Sequence, residues 1–146
     1  VLQKRGPLDA AEWDVMRRHT LIGAAMLKDS KVPFMRMAAR IAACHHEKWN
    51  GSGYPRGMSG EMIPQEARIT AIADVFDALS NARHYKAAWD TERVKAELLA
   101  CRGSHFDPAL VDLFLAEWET FERILKANPD VEQTLDLDEG IPTLEA

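Results

Sequence analysis

His45 and His46 stand side by side where an apolar helical stretch runs out, and the chain continues through Glu47, Lys48 and Trp49 into Asn50-Gly51-Ser52-Gly53-Tyr54-Pro55. Neutral imidazole is a common ligand of divalent transition metals, and two adjacent imidazoles are costly to bury for other reasons. His19 and Asp74 lie on or beside the apolar stripes of two further helical stretches. Polar groups in such places cost free energy unless they are paired or coordinate a metal. Nitrogen and carboxylate donors converging from packed helices make a metal site. Taken singly, His19 reads as a hydrogen-bonded core imidazole; the His45–His46 pair together with Asp74 favours ligation. The mixed donor set suits iron, manganese, nickel or zinc and does not choose among them. Asp77, one turn beyond Asp74, reads as a partner orienting a ligand imidazole, as a cap or as an ion-pair residue, and not as a ligand.

Arg83 and Lys86 follow Asp74 by nine and twelve residues. Two cations there suggest an anion clamp, since arginine grips phosphate bidentately and lysine acts as a point charge; a solvated basic helix end is the plainer alternative. Gly51, Gly53 and Gly57 give the intervening loop the backbone freedom for close approach to a ligand. Tyr54 can stack on a base or hydrogen-bond a phosphate, with Pro55 stiffening its presentation; an ordinary surface turn is the alternative reading of the same residues.

The elements that must position these groups read as helices throughout. Asp9 and Glu12 have the form of a capping box, followed by a stripe of Val15, Ile22 and Met26 that also carries His19. Pro33 suits the first turn of a second helix, with Phe34, Ala38 and Ile41 leading to His45. Asn50 to Gly60 is a loop with four glycines and a proline. Pro64 opens a third helix with an apolar face of Ile69, Ile72, Phe76 and Leu79 beside a stripe of Ala67, Ala71, Asp74 and Ala78. Asp90 or Thr91 caps a fourth helix ending at Gly103, and Asp107-Pro108 opens a fifth running to Lys126. No stretch alternates like a strand, so the expected fold is all-α: a helical bundle of about five helices, with residues 127–146 as an acidic C-terminal tail. Those twenty residues hold six acidic side chains and no basic ones, which suits a loosely docked segment.

The whole chain has 146 residues, enough for one domain with its own core. Its net charge of −5 argues against a DNA or RNA binder, which needs a basic face. Cys44 and Cys101 read as free thiols of a reducing cytoplasm. No apolar run approaches a membrane span. The opening Val1-Leu2-Gln3-Lys4-Arg5-Gly6-Pro7-Leu8 reads as a connector within something longer.

In order and spacing these motifs resemble the HD-GYP family, metal-dependent phosphodiesterases of cyclic di-GMP. The likeness runs roughly from Gly6 to Leu115 and covers the C-terminal two-thirds of such a domain, making residues 1–126 a partial HD-GYP domain. It includes Glu12-Trp13, Met16-Arg17-Arg18-His19, His45-His46-Glu47, Gly51-Ser52-Gly53-Tyr54-Pro55, Ile72-Ala73-Asp74-Val75-Phe76-Asp77 and Gly103-Ser104-His105-Phe106-Asp107-Pro108. By that resemblance His19, His45, His46 and Asp74 match metal ligands. Arg83 and Lys86 match residues that hold the substrate phosphates, and Gly53, Tyr54 and Pro55 form the loop that gives the family half its name.

The resemblance implies two divalent ions (Fe, Mn, Ni or Zn) in an intact domain, hydrolysis of cyclic di-GMP to pGpG or GMP, a cytoplasmic signalling role in bacteria, and a GGDEF-domain protein or a second copy as partner. Two departures stand out. His84 replaces the family's usual proline between Arg83 and Tyr85, and the His-Asp pair with its following lysine is absent from the 146 residues. That aspartate bridges the two metals in the family, so the chain by itself is expected to be inactive or nearly so. The alternatives are a non-catalytic nucleotide-binding or GGDEF-docking regulator and a hydrolase of another nucleotide.

Overall fold

The computed structural model describes residue 4, residues 6–81 and residues 88–128. Arg83, His84 and Lys86 and nearly all of the acidic tail therefore lie outside the described residues. Six α-helices form the described structure: α1 (Ala10–Leu27), α2 (Pro33–Cys44), α3 (Gln65–Ser80), α4 (Thr91–Ala100), α5 (Pro108–Ala116) and α6 (Trp118–Ala127), with a short 3-10 turn at Gly60–Met62. Among the described residues there is no strand, only isolated bridges at Asn50–Ser59 and Arg102–Phe106.

The local start signals act as the sequence implies. Asp9 accepts from the Glu12 N–H while Glu12 reaches back to the Asp9 N–H, closing the capping box of α1. Asp90 accepts from Arg93 N–H at 2.9 Å and Asp107 from Ala109 N–H at 2.9 Å. Pro33 and Pro108 occupy first turns, where a missing N–H costs nothing.

Four expectations are corrected. The stretch from Asp107 to Lys126 is two helices, because the backbone leaves helical geometry at Glu117. That break lets Trp118 enter the core and Phe121 fold back to stack on Phe114 at 4.0 Å. The fourth helix stops at Ala100, and Gly103 lies in the turn beyond with φ +75°. On α1 the stripe of Val15, Ile22 and Met26 is exposed, Met26 at 79%; Phe34 on α2 is exposed as well. On α3 the buried face is Ala67, Ala71, Ile72 and Phe76, while Ile69 is half-exposed.

The helix α3 is the hub, packing against α2 on one side and against α4 and α5 on the other. The main core gathers Ala71, Ile72 and Phe76 with Val94, Leu98, Phe106, Val111 and Trp118. Phe76 sits edge-on to Phe114, Trp118 and Phe121. A smaller cluster of Cys44, Ile63 and Ala67 lies under the loop that follows α2. Two ion pairs tie the layers together: Arg40 with Glu66 links α2 to α3, and Arg68 with the buried Asp107 links α3 to the start of α5, each at 2.5 Å.

Candidate metal centre

The helices α1 and α2 pack as a hairpin joined by five residues. Their contacts run in opposite directions along the chain: His19 meets His45, and Gly23, one turn on, meets Ala42, one turn back. A Cβ placed on Gly23 would lie 3.3 Å from that of Ala42, so the missing side chain lets the two backbones approach. This close crossing brings His19 from the middle of α1 to the end of α2, where His45 and His46 stand.

Three imidazoles converge there. One ring nitrogen from each of His19, His45 and His46 lies within 4.8 Å of the others. The Nε2 atoms of His19 and His45 are 3.4 Å apart. The His19 Nδ1 donates to the Met16 carbonyl at 2.6 Å, and the His45 Nδ1 faces the Ile41 and Ala42 carbonyls at 3.0 and 3.1 Å. Carbonyls accept only, so each Nδ1 donates, which turns each Nε2, the atom that would ligate an ion, toward the shared space. Backbone carbonyls orienting ligand imidazoles in this way are a recurrent feature of metal sites.

His46 is held by stacking. Its ring lies 4.0 Å from that of His45 and 4.9 Å from that of Tyr54. Burial, then the neighbouring His45 and His19, push its pKa down to about 4, with Asp74 acting in the opposite sense. The ring is neutral at pH 7, the form that binds a metal. Three imidazole nitrogens at this spacing fit a divalent transition ion.

Asp74 stands exposed on α3 and is not among the groups that fall within the three-histidine cluster. Its charge acts on both His46 and Tyr54, which sets it beside the site. Asp77 accepts from the Asn81 side chain at 2.9 Å and so serves the end of α3.

The Gly53-Tyr54-Pro55 segment closes over His46. The Tyr54 N–H donates to the His46 carbonyl at 3.1 Å, and the Tyr54–Pro55 peptide bond is cis. At Gly53 a Cβ would lie 2.3 Å from Lys48 N and 2.5 Å from Glu47 Cα, so only glycine fits. Burial raises the Tyr54 hydroxyl above its usual pKa; Arg17, whose Cζ lies 5.5 Å from the ring centroid, opposes this and Asp74 adds to it.

One structural residue of the site, Glu47, was not singled out from the sequence. Glu47 is 2% exposed, and its two carboxylate oxygens accept from the N–H groups of Arg56 at 2.8 Å and Met58 at 2.9 Å. The carboxylate next to His46 thus folds the loop from inside, and the Glu following His-His was the available signal. On its far side the loop is pinned to the α4–α5 connection, with Trp49 N–H donating to His105 O and Asn50 N–H to Ser104 O, both at 2.9 Å. His105 stacks on Phe106, and burial followed by the nearby Lys48 lowers its pKa to about 4.

An all-helical fold carrying three convergent histidines and a folded glycine loop defines the class, and comparison with known proteins gives the family. A family model described as HD domain matches residues 1–110. The chain belongs to the HD domain family. It is 50% identical over 130 residues to the 3′3′-cGAMP-specific phosphodiesterase 2 of Vibrio cholerae, covering 89% of this chain and 25% of the relative. It is also 50% identical over 124 residues to the cyclic di-GMP phosphodiesterase response regulator RpfG of Xanthomonas campestris, covering 85% of this chain and 33% of the relative. A crystal structure of a cyclic GMP-AMP specific phosphodiesterase of V. cholerae matches 80% of this chain and 26% of its own, with TM-score 0.63 and 25% identity. The chain thus spans a quarter to a third of the length of these relatives. Among the described residues no helix is long and apolar enough to cross a membrane.

Proposed function

We propose that the chain forms part of the metal centre of a bacterial, cytoplasmic HD-GYP phosphodiesterase that opens a 3′,5′-cyclic dinucleotide, cyclic di-GMP being the first candidate and pGpG or GMP the product. The observation that carries this reading is the set of three imidazoles whose free nitrogens share one space while backbone carbonyls hold the other nitrogens of His19 and His45. On this reading His19, His45 and His46 hold the ion and Asp74 adds a carboxylate. Iron, manganese, nickel or zinc suits that donor set, and two ions are expected in a complete centre. When bound, the ions supply Lewis acidity toward a phosphoryl oxygen and acidify water.

The chain's own residues bind and orient. Tyr54 offers a ring to a base or a hydroxyl to a phosphate, and Arg83 with Lys86 neutralises phosphate charge. Residues 1–126 form a partial HD-GYP domain and 127–146 an acidic appendage, with a GGDEF-domain protein or a second copy as the protein partner.

The names of the relatives favour a second substrate, 3′3′-cGAMP, on which one relative at 50% identity acts. Because no adjacent His-Asp pair occurs in the 146 residues, binding without turnover is the reading for the chain alone. Titrating the manganese-loaded chain with cyclic di-GMP, 3′3′-cGAMP and linear pGpG tests the proposal. Preference for a cyclic dinucleotide supports it, and indifference to all three contradicts it.

A further inference from the structure

We propose that Arg17 is a phosphate-contacting residue of this site, seated by Tyr54 at the rim of the histidine cluster. The inference rests on the phosphodiesterase reading and extends it to a residue on α1.

Arg17 lies two positions before His19, with its side chain half-exposed. Its Cζ stands 5.5 Å from the centroid of the Tyr54 ring, whose other neighbour is the His46 ring at 4.9 Å. The guanidinium and a residue of the cluster therefore share one aromatic neighbour. A guanidinium over a ring is attracted by the ring quadrupole and keeps its edge N–H donors free.

Those donors are almost unspent. Among the described residues the Arg17 side chain makes no hydrogen bond, and its one ionic neighbour is Asp14, 3.8 Å away on the same exposed helix face. That pair is too long for a hydrogen bond and is worth little at the surface. The backbone beneath is fixed, since the fully buried Thr20 donates its hydroxyl to the Arg17 carbonyl at 2.9 Å. The chain carries a net charge of −5. A cation held beside three imidazoles, with free planar donors, matches a phosphodiester oxygen pair. The same Tyr54 ring that stacks on His46 sets where that cation waits.

Isothermal titration of the manganese-loaded 146-residue chain with cyclic di-GMP and with inorganic phosphate tests this. Arg17→Ala should weaken cyclic di-GMP binding about 10-fold or more, the loss of one charge-assisted contact. Arg17→Lys should recover part of it, since charge remains but the fork is lost. Manganese content and melting temperature should stay those of the parent in both variants. Unchanged nucleotide affinity in Arg17→Ala, beside a parent chain that binds, overturns the role of Arg17 alone. A loss of manganese equal to the loss of nucleotide overturns it in favour of a structural role. A parent chain that binds neither cyclic di-GMP nor phosphate overturns this proposal and the phosphodiesterase reading together.

Discussion

Tyr54 stacks on His46 at 4.9 Å between ring centroids, and its backbone N–H donates to the His46 carbonyl at 3.1 Å. The glycine loop and the histidine cluster are thus one unit, joined by a ring face and a backbone hydrogen bond. Tyr54→Phe keeps both contacts and should leave metal affinity near that of the parent. Tyr54→Ala removes the face that fixes His46 and should weaken zinc or manganese binding by about 10-fold, the scale of a lost ligand-orienting partner. Titration against a chromophoric chelator distinguishes the two, and equal affinities for Ala and Phe would contradict the coupling.

Glu47 is the internal support of that unit. Glu47→Ala leaves the Arg56 and Met58 N–H groups without acceptors and opens a cavity, and should cost about 3 kcal/mol. Glu47→Gln keeps one strong acceptor and should cost roughly half as much. Urea unfolding measures the loss, and hydrogen exchange should speed up first at Arg56 and Met58.

Acid should destabilise the metal-free chain through His46 and His105, both with pKa pushed from 6.5 to about 4 in the folded state. Between those values the unfolded chain binds more protons than the folded one. The stabilisation is therefore complete above about pH 6.5 and is lost as the pH falls toward 4. Both rings are partly open to solvent, so screening reduces the effect to about 1–2 kcal/mol each. Urea midpoints recorded from pH 7.5 to 4.5 in the presence of a chelator should fall, and His105→Gln should flatten the slope. A flat profile in the parent would contradict the assignment.

The 146-residue chain should turn over cyclic di-GMP very slowly or not at all, even with manganese or iron, because no adjacent His-Asp pair is present to complete a two-ion centre. Chromatography of the products decides this. Rapid formation of pGpG by the homogeneous chain would place the catalytic groups elsewhere.

Helix starts were legible in the sequence because capping is local: Asp9 with Glu12, Asp90, and Asp107 with Pro108 each act within four residues of themselves. His45 and His46 were legible because two adjacent imidazoles are costly to bury without a partner, whereas His19 is exposed and joins the site only beside them. What escaped depends on distant atoms. Apolar periodicity continues through Glu117, so nothing nearby marks the break that Trp118 requires to reach Phe76. Val15, Ile22 and Met26 have the spacing of a buried stripe, but periodicity does not say what covers it, and within the described residues they face outward. Glu47 is held by backbone N–H groups nine and eleven residues on, and such partners leave no residue-type signature. The order of approach between α1 and α2, which makes the cluster, rests on Gly23 lying opposite Ala42, a match that one helix alone does not reveal.

The central claim is that His19, His45 and His46 share one divalent ion through a nitrogen from each ring. Anomalous scattering from crystals of the chain grown with zinc tests it most directly. Zinc should give a peak within about 2.0–2.2 Å of all three rings, bound through Nε2 of His19 and His45, and that peak should be lost in His45→Ala. A peak at Asp or Glu side chains elsewhere, coordination through Nδ1 of His19 or His45, or the same peak retained in His45→Ala would contradict it.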